Sequence, residues 1–464
     1  MSAIITDPFK KQLTQTIFDE VKNTTNRYYI GIGRSETWDS SETVPTPTDT
    51  PRTIRNARAS LQSIKSATDL SYVIPRHNWS SGSTYTAYDD DYASVPTTNA
   101  YYVMTEDNQV YICLQQAKNS AGTATTSTVK PTGTVAKPFK TADGYVWKFL
   151  YTLSASRASA FLSSNFLPVE KILDSARVND LTGTSTLSTL EIQQALVQDS
   201  AVPGQIIGIS VQEGGSGYTS APTVTINGDG IRAAATATVS GGAVTKIELD
   251  SSTDSCLTFG QGYKYASISM SGGSGTGAKA RAIIGPDSGM GADTRDELKS
   301  TSLMFNSKPN GIEDSNFIVG QDFRQVMLIR DPKKAQVIDS DFTAGSGRVL
   351  RFLKLTAAAN TAFLDATITG GTSQSQAVVD EVDSDRLYFH QNEDTGFKPF
   401  QEGEGITGGG TSGTLVAAGV DVDSDAFTKD DVDFLSGRVV YIENRAPVTR
   451  SSNQQEDIKV VITL

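Results

Sequence analysis

The acidic run Asp421-Val-Asp-Ser-Asp425 is the stretch whose residue types and spacing come nearest to a metal site. Its carboxylates occupy the first, third and fifth positions, as they do at the start of a calcium-binding loop. The sixth position holds Ala426 where the turn of such a loop needs glycine, and the twelfth holds Val432 where a bidentate glutamate completes the ligand set. The match ends halfway through the loop, and we predict no metal ion for this chain.

Other patterns that could support binding or catalysis are also incomplete. Gly214-Gly-Ser-Gly-Tyr218 lacks the Lys-Ser/Thr pair of a P-loop, and alanine-rich strands rather than a helix follow it. His77 and His390 have no cysteine or second histidine at a zinc-binding spacing. A Ser-His-Asp triad built from distant segments is left open, but no Gly-x-Ser-x-Gly elbow or outstanding carboxylate pair points to hydrolysis. We therefore expect no catalytic residues and no cofactor.

Two tryptophans in polar segments are the better functional candidates, because tryptophan and arginine supply much of the binding energy at protein interfaces. Trp38 lies close to Arg34, and Trp79 lies close to Arg76. One interpretation is that these four side chains contact another protein. The alternative is that each indole covers a hydrophobic core from its polar side.

Two further groups of residues are candidates for contact with a partner. A helix that begins at Thr50-Pro51 places Arg52, Arg55 and Arg58 in one row, which faces either an acidic partner or solvent. Asn444 and Arg445 begin the connection to the last strand, which is too long for a tight hairpin. Long ordered loops often form contact surfaces, so we include both residues among the interface candidates.

The elements expected to position these residues include a helix, an aromatic strand and a terminal strand. Thr6-Asp7-Pro8 carries a capping side chain before proline and predicts a helix start. The strand in Gly144–Leu153 places four aromatic side chains on one face, and Ile458–Leu464 alternates between apolar and polar residues. In the helix, residues at steps of four form one apolar stripe: Phe9, Leu13, Ile17 and Val21.

Composition excludes several classes of function. The net charge is -12 and the pI is about 4.8, which disfavours nucleic-acid binding because that requires clustered lysine and arginine. No apolar run is long enough for a membrane span, and the first residues lack the pattern of a secretory signal. Cys113 and Cys256 stand in unlike contexts, so we expect free thiols in a reducing compartment.

Glycine density divides the chain. Of its 40 glycines, 18 fall between Gly204 and Gly291, where Gly215-Ser-Gly217-Tyr218 recurs as Gly260-Gln-Gly262-Tyr263. We predict an α+β, mainly β multidomain protein with antiparallel sheets or sandwiches, N-terminal helices and two inserted glycine-rich β units. The predicted inserts are residues 201–299 and 346–425. The predicted parent is a discontinuous core made of residues 1–200, 300–345 and 426–464.

Six segments of the predicted core are distinctive when they are taken together and in order. They are Gly33-Arg-Ser-Glu-Thr-Trp38, Val73-Ile-Pro-Arg-His-Asn-Trp79, Asp143-Gly-Tyr-Val-Trp-Lys-Phe-Leu-Tyr151, Phe323-Arg-Gln-Val-Met-Leu-Ile-Arg-Asp-Pro332, Gly437-Arg-Val-Val-Tyr-Ile-Glu-Asn-Arg-Ala-Pro447 and Gln455-Glu-Asp-Ile-Lys-Val-Val-Ile-Thr-Leu464. In this order they resemble the homodimeric baseplate wedge subunit of T-even-type contractile-tailed phages. The last two segments end the chain, as they do in that family.

The resemblance implies a structural protein of the virion rather than an enzyme. It implies a homodimer that joins other baseplate wedge proteins, is assembled in the host cytoplasm and contacts neither nucleic acid nor membrane. The two glycine-rich blocks have no counterpart in the shorter members of the family. An alternative function is therefore a tail module that binds host-surface glycans through those blocks, and a glycan-cleaving tail enzyme is a more distant one.

Overall fold

The computed structural model describes residues 4–23, 27–67, 69–173, 187–249, 259–417 and 431–464. Contacts within the chain divide it into two compact units. Unit 1 comprises Met1–Thr14, Ser71–Leu303 and Ile462–Leu464, and unit 2 comprises Gln15–Leu70 and Met304–Val461. The chain passes from one unit to the other within four elements, which are α1 (Asp7–Lys22), β3 (Asp69–Pro75), β17 (Ser302–Ser307) and β27 (Ile458–Thr463).

Strands account for 41% of the structure and helices for 12%, and the sheets are antiparallel. The predicted mainly β class is therefore confirmed. The described residues of the predicted insert at 201–299 lie in unit 1, and those of the insert at 346–425 lie in unit 2. Segments of the predicted discontinuous core contribute to both units.

An aromatic sheet forms the first part of unit 1, with the strand order β4-β5-β7-β6. Trp147 and Phe149 of β7 are fully buried and pack with Val197 of helix α4. A capping box between Ser188 and Glu191 starts α4. The elements of this part are β4 (Tyr102–Met104), β5 (Gln109–Gln115), β6 (Phe139–Lys140), β7 (Val146–Thr152), α3 (Ala155–Phe161), β8 (Phe166–Val169), α4 (Thr189–Asp199) and α5 (Thr294–Glu297).

The glycine-rich part of unit 1 contains eight strands among its described residues. Four of them form a sheet in the order β13-β12-β10-β15, while β9 pairs with β16 and β11 pairs with β14. Two small apolar clusters fill its interior. The strands are β9 (Ile206–Ser216), β10 (Thr223–Gly228), β11 (Ile231–Ala233), β12 (Ala235–Ser240), β13 (Ala243–Leu249), β14 (Phe259–Gln261), β15 (Ala266–Ser271) and β16 (Thr276–Ile284).

The repeated Gly-x-Gly-Tyr motif has a packing role in this part. Tyr218 of the first copy packs so closely on Gly275 that a β-carbon there would overlap its ring. Tyr263 of the second copy packs in the same way on Gly230, which follows the strand of the first copy. Each tyrosine is thus received by a glycine of the other copy, and the strands of the two copies, β10 and β15, pair antiparallel.

A five-stranded sheet in unit 2 has the order β19-β2-β1-β18-β26. Strand β1 lies between β2 and β18, with Ile30 opposite Leu328, and all six of its residues are buried. Thr50 caps helix α2 by accepting a hydrogen bond from the Thr53 amide, with Pro51 in the first turn as the sequence predicts. The elements are β1 (Tyr28–Gly33), α2 (Pro51–Ala59), β2 (Leu61–Ser66), β18 (Asp322–Arg330), β19 (Ser346–Arg348) and β26 (Arg438–Thr449).

A six-stranded sheet follows in unit 2, in the order β20-β23-β22-β21-β24-β25. Its apolar side chains, including Phe363 and Phe389, form one core cluster. The elements are β20 (Arg351–Lys354), a 3-10 turn (Thr361–Phe363), β21 (Thr367–Gly370), β22 (Gln376–Asp383), β23 (Arg386–His390), β24 (Gly405–Gly408) and β25 (Thr411–Thr414).

Candidate interaction surfaces and a buried ion cluster

The polar corner that follows β1 is fixed by backbone and aromatic contacts within unit 2. Arg34 has a positive φ of 62°, donates its amide to the Ser60 carbonyl at 2.8 Å and accepts from the Arg324 amide at 3.0 Å. Its guanidinium lies 4.2 Å from the ring centre of Trp38. The Trp38 indole in turn donates to the Arg445 carbonyl at 2.8 Å. Three predicted interface residues therefore belong to one intramolecular contact.

Glu36 of this corner joins a buried ion cluster with two residues of the six-stranded sheet. His390 has both ring nitrogens next to carboxylates: Nδ1 lies 2.6 Å from Asp380 Oδ2 and Nε2 lies 3.0 Å from Glu36 Oε1. His390 is 3% exposed and Asp380 is fully buried. The cluster connects the consecutive strands β22 and β23 to the segment after β1, so two distant parts of the sequence meet at one imidazole.

The charges of the cluster fix its protonation. Burial alone would lower the pKa of His390, but the negative charges of Asp380 and Glu36 outweigh burial and raise the pKa to about 10. Burial likewise opposes ionisation of Glu36, but the imidazolium of His390 lowers the pKa of Glu36 to about 2. At neutral pH one buried cation therefore lies between two carboxylates.

Neighbouring polar groups complete most of the hydrogen bonds of the cluster. Ser35 Oγ donates to Asp380 Oδ1 at 2.6 Å, and Gln62 Nε2 donates to the same oxygen at 3.1 Å. Asn392 Nδ2 donates to Glu36 Oε1 at 2.6 Å. Because Ser35 donates to the carboxylate and both imidazole nitrogens face carboxylates, His390 has no nitrogen available to activate that serine. The arrangement is suited to holding segments together.

Two buried arginines of unit 2 have a similar role, and neither was predicted as a functional residue. Arg324 binds both carboxylate oxygens of Glu42, at 3.1 and 2.9 Å. Arg450 is 2% exposed and donates to the carbonyls of Ile318 and Gly311 and to Glu456, at 2.9, 2.7 and 2.9 Å. Arg450 lies in the connection predicted as a contact surface, so this part of the connection faces inward.

The arginine row on α2 is also engaged within unit 2. Arg52 Nε lies 2.6 Å from Glu393 Oε2, and Arg55 Nη2 lies 3.9 Å from the other oxygen of that carboxylate. Arg58 donates to the carbonyls of Leu435 and Gly437 at 3.0 and 2.8 Å. The Arg52 and Arg55 side chains remain largely exposed, so this row is open to solvent while it pairs internally.

The remaining candidates from the sequence also have partners within their own unit. The prediction that Asn444 and Arg445 begin the connection to the last strand is wrong, because both lie within β26, which continues to Thr449. In unit 2, Asn444 donates to the Pro45 carbonyl at 2.8 Å, and Arg445 lies 3.9 Å from Glu443. In unit 1, Arg76 donates to the Ser163 carbonyl at 2.8 Å.

Trp79 is the second indole for which the sequence left two roles open. Trp79 donates to Ser127 Oγ at 3.1 Å and packs, half-buried, on the aromatic core of unit 1. These contacts match the second interpretation of Trp79, in which the indole covers a hydrophobic core from its polar side. An additional role in contact with a partner stays a prediction.

A surface that the sequence did not single out lies at the start of unit 1. Ile4, Ile5, Phe9 and Leu13 are 85%, 61%, 60% and 41% exposed. The sequence predicts one apolar stripe that includes Phe9, Leu13 and Val21, but of these three side chains only Val21 is buried. We call Ile4, Ile5, Phe9 and Leu13 the α1 apolar surface.

The described residues offer neither a metal-binding cluster nor an exposed thiol. No group of three or more His, Cys, Asp and Glu side chains is placed to hold a metal within the part of the chain that the structure describes. The acidic run at 421–425 lies outside the described residues, as does Cys256. Cys113 is a free, buried thiol, and burial raises its pKa.

Comparisons with known proteins add no identification. No family model matches the chain, and no curated protein matches it. Among the described residues, no helix is long and apolar enough to span a membrane.

Proposed function

We propose that the chain is a structural subunit of a contractile-tail baseplate wedge and that it acts by binding other proteins. The proposal is supported by the ordered resemblance of six segments and by one observation, the α1 apolar surface. Its partners would be a second copy of the chain and other wedge proteins, within a virion assembled in the host cytoplasm. Its contribution to the particle would be fixed surfaces rather than bond chemistry.

The first half of α1 has its polar side turned inward and its apolar side turned outward. Lys11 lies 2.6 Å from Asp296, and Asp7 lies 3.3 Å from Lys299, so the helix is held in unit 1 by ion pairs. Phe9 and Leu13 lie on the opposite side, because two residues along a helix correspond to a rotation of about 200°. Full burial of an exposed Phe or Leu side chain stabilises by about 1.5–3 kcal/mol. Phe9 and Leu13 are 60% and 41% exposed, so a partner that covered them would gain a corresponding fraction from each. An amphipathic helix in this orientation favours an assembly subunit.

The buried ionic contacts of unit 2 support the proposal that the chain contributes fixed, rigid surfaces to the particle. The Glu36–His390–Asp380 cluster and the inward-facing Arg450 each hold together segments of unit 2 that are far apart in sequence. Removing one partner from a buried ion pair leaves an uncompensated charge, so such contacts break together rather than one at a time. A unit of this kind presents its surface residues in fixed positions.

The proposal is tested in the assembled particle and in solution. Antibodies raised against the purified chain should label the baseplate end of the tail in virions of the phage that encodes it, and light scattering should give the mass of a dimer. The double variant Phe9→Ser, Leu13→Ser should retain its melting temperature but lose association with its partners. Unlabelled virions would contradict the proposal. A double substitution at exposed Lys264 and Lys279, in the glycine-rich part, is the matched control.

A glycan-binding role is the second candidate, and one observation favours it. Strands β10 and β15 present an uncharged polar face to solvent, with Thr225 opposite Ser269 and Asn227 opposite Ser267. Tyr265, at the edge of this face, is 66% exposed. Hydroxyl and amide groups in a regular row, with one aromatic ring beside them, suit a neutral sugar chain. A glycan array without hits would refute this candidate, and release of oligosaccharides from host polysaccharide would contradict the absence of catalysis.

A further inference from the structure

A polar cleft of about 490 Å³ lies in unit 1, at the end of β3, and it shares no residue with the α1 apolar surface or with the polar face of β10 and β15. Its wall is formed by Arg76, His77, Asn78, Ser80, Ser83, Thr84, Tyr85, Thr98, Asn99 and Ala100. The hydroxyl of buried Tyr85 accepts the Ser80 amide at 2.7 Å and thereby fixes one wall. The cleft is within the size range of small-ligand sites in proteins.

Arg76 is the charged residue that lines the cleft, and its guanidinium is held in place from two sides. Its Nε donates to Asn78 Oδ1 at 2.9 Å, and its Nη1 donates to the Ser163 carbonyl at 2.8 Å. Nη2 has no acceptor among the residues that the structure describes. A positioned guanidinium with a free N–H edge is suited to a carboxylate, which accepts two parallel hydrogen bonds.

His77 lines the same cleft and is also incompletely partnered. Its ring packs edge-on against Tyr102, with 5.3 Å between ring centres. Within the described ranges, neither ring nitrogen has a hydrogen-bond partner. The backbone of His77 is fixed, because its carbonyl accepts the Met104 amide at 2.8 Å. His77 therefore lines the cleft with an anchored backbone and with ring nitrogens that are unpaired among the described residues.

The charge of the lining is opposite in sign to that of the whole chain. Arg76 and His77 are the basic groups, and none of the described residues that line the cleft is acidic. The other side chains of the wall are mainly hydroxyls and amides, including those of Ser83, Thr98 and Asn99. Pockets that receive a side chain of a protein partner are typically apolar or aromatic at their centre, whereas this one would satisfy a ligand rich in hydroxyl groups.

From this geometry we infer that the cleft binds an acidic sugar, with the carboxylate on Arg76 and His77 and the sugar hydroxyls on the surrounding Ser, Thr and Asn side chains. The ligand class is the uronic and sialic acids, which carry one carboxylate on a polyhydroxylated ring. The site is independent of the proposed assembly role, since the cleft shares no residue with the α1 apolar surface.

Titration calorimetry or ligand-observed NMR on the full-length chain tests the inference. The probes are glucuronate, galacturonate and N-acetylneuraminate, with glucose as the neutral control and acetate as the carboxylate control. We expect saturable binding of at least one acidic sugar with a Kd on the order of 1 mM, and no binding of glucose. Equal binding of acetate and glucuronate would refute the sugar component. Tighter binding of a glutamate-rich peptide would assign the cleft to a protein instead.

Two variants separate the roles of the basic groups. Arg76→Gln should weaken binding roughly tenfold or more, because it removes a charge-assisted hydrogen bond. Burial lowers the pKa of His77, and a bound carboxylate favours its protonated form, so affinity should rise as the pH falls below the ordinary range of histidine. His77→Gln should abolish this pH dependence. The chain should melt normally in His77→Gln and in the control Lys264→Ala, and unchanged affinity in both cleft variants would overturn the inference.

Discussion

The two glycine-rich regions, residues 201–299 and 346–425, use their glycines for different purposes. In the first, Gly230 and Gly275 make room for the rings of Tyr263 and Tyr218. In the second, the turn after Gly370 wraps around a carboxylate: Glu404 accepts the Thr372 and Ser373 amides at 2.9 and 2.8 Å.

The comparison shows that glycine density in a sequence indicates close approach of the backbone but does not reveal what approaches it. An aromatic ring needs only space, whereas a carboxylate needs several converging N–H groups. Burial opposes ionisation of Glu404, yet its hydrogen bonds to Ser373 and Gln401 hold its pKa below the usual range. The second region therefore depends on charge at Glu404 and at His390, and the first depends on the fit of side chains.

The largest expected effect is on the charged region. His390→Ala leaves two buried carboxylates without their cation, and we expect the free energy of unfolding of unit 2 to fall by about 3–5 kcal/mol. Scanning calorimetry should show one transition displaced to lower temperature. If the transition is not displaced, the cluster contributes little to stability, and the region of residues 346–425 does not depend on the charge at His390.

The same cluster should make that transition depend on pH. The folded-state pKa of His390, about 10, lies above its ordinary value of 6.5, so its stabilisation is complete below pH 6.5 and is lost as the pH rises through 10. The pKa of Glu36, about 2, lies below its ordinary value of 4.5, so its contribution is lost as the pH falls from 4.5 through 2. The transition that His390→Ala displaces should therefore be most stable between about pH 4.5 and 6.5. A flat profile from pH 6 to 10 would contradict this assignment.

A smaller effect is expected in the region held by the fit of side chains. Gly275→Val forces a branched side chain into the Tyr218 ring, and overpacking of this kind costs about 1–3 kcal/mol. Gly345→Ala is the matched control, because a β-carbon there meets open space and its φ is ordinary. Urea denaturation of both variants measures the difference. Equal stabilities would show that the tyrosine–glycine contacts are dispensable.

The smallest effect is expected where charges pair at the surface. Arg52→Ala removes an exposed ion pair with Glu393, and we expect no measurable change in melting temperature because water already solvates both groups. The contrast with His390→Ala isolates burial as the variable. A clear loss of stability in Arg52→Ala would show that the α2 arginine row holds the fold together.

Local patterns in the sequence predicted much of the secondary structure. Thr50-Pro51 starts α2, and the alternating aromatic residues of the segment around Trp147 form the buried strand β7, because capping and alternation act over a few residues. The ion cluster was not predictable in this way. His390 and Glu36 are 354 positions apart, and neither lies in a distinctive local pattern. The cluster follows from how the sheets of unit 2 pack.

The orientation of α1 is a second feature that the sequence pattern did not predict. Periodicity places Phe9 and Leu13 on one side of a helix, but it does not state which side of that helix meets the core. In this structure the ion pairs of Asp7 and Lys11 hold the polar side of the helix against the rest of unit 1, so the apolar side faces outward.

The sequence by itself determined the mainly β class, the starts of helices, the aromatic strand and the paired Gly-x-Gly-Tyr motif, since each depends on neighbouring residues. Tertiary structure alone decided that His390 is a buried cation, that Arg450 faces inward and that Gly230 and Gly275 receive tyrosine rings. The reason is physical. Burying a charge, or placing glycine where another residue would carry a β-carbon, costs free energy. Only contacts with partners that the folded chain brings close in space offset that cost.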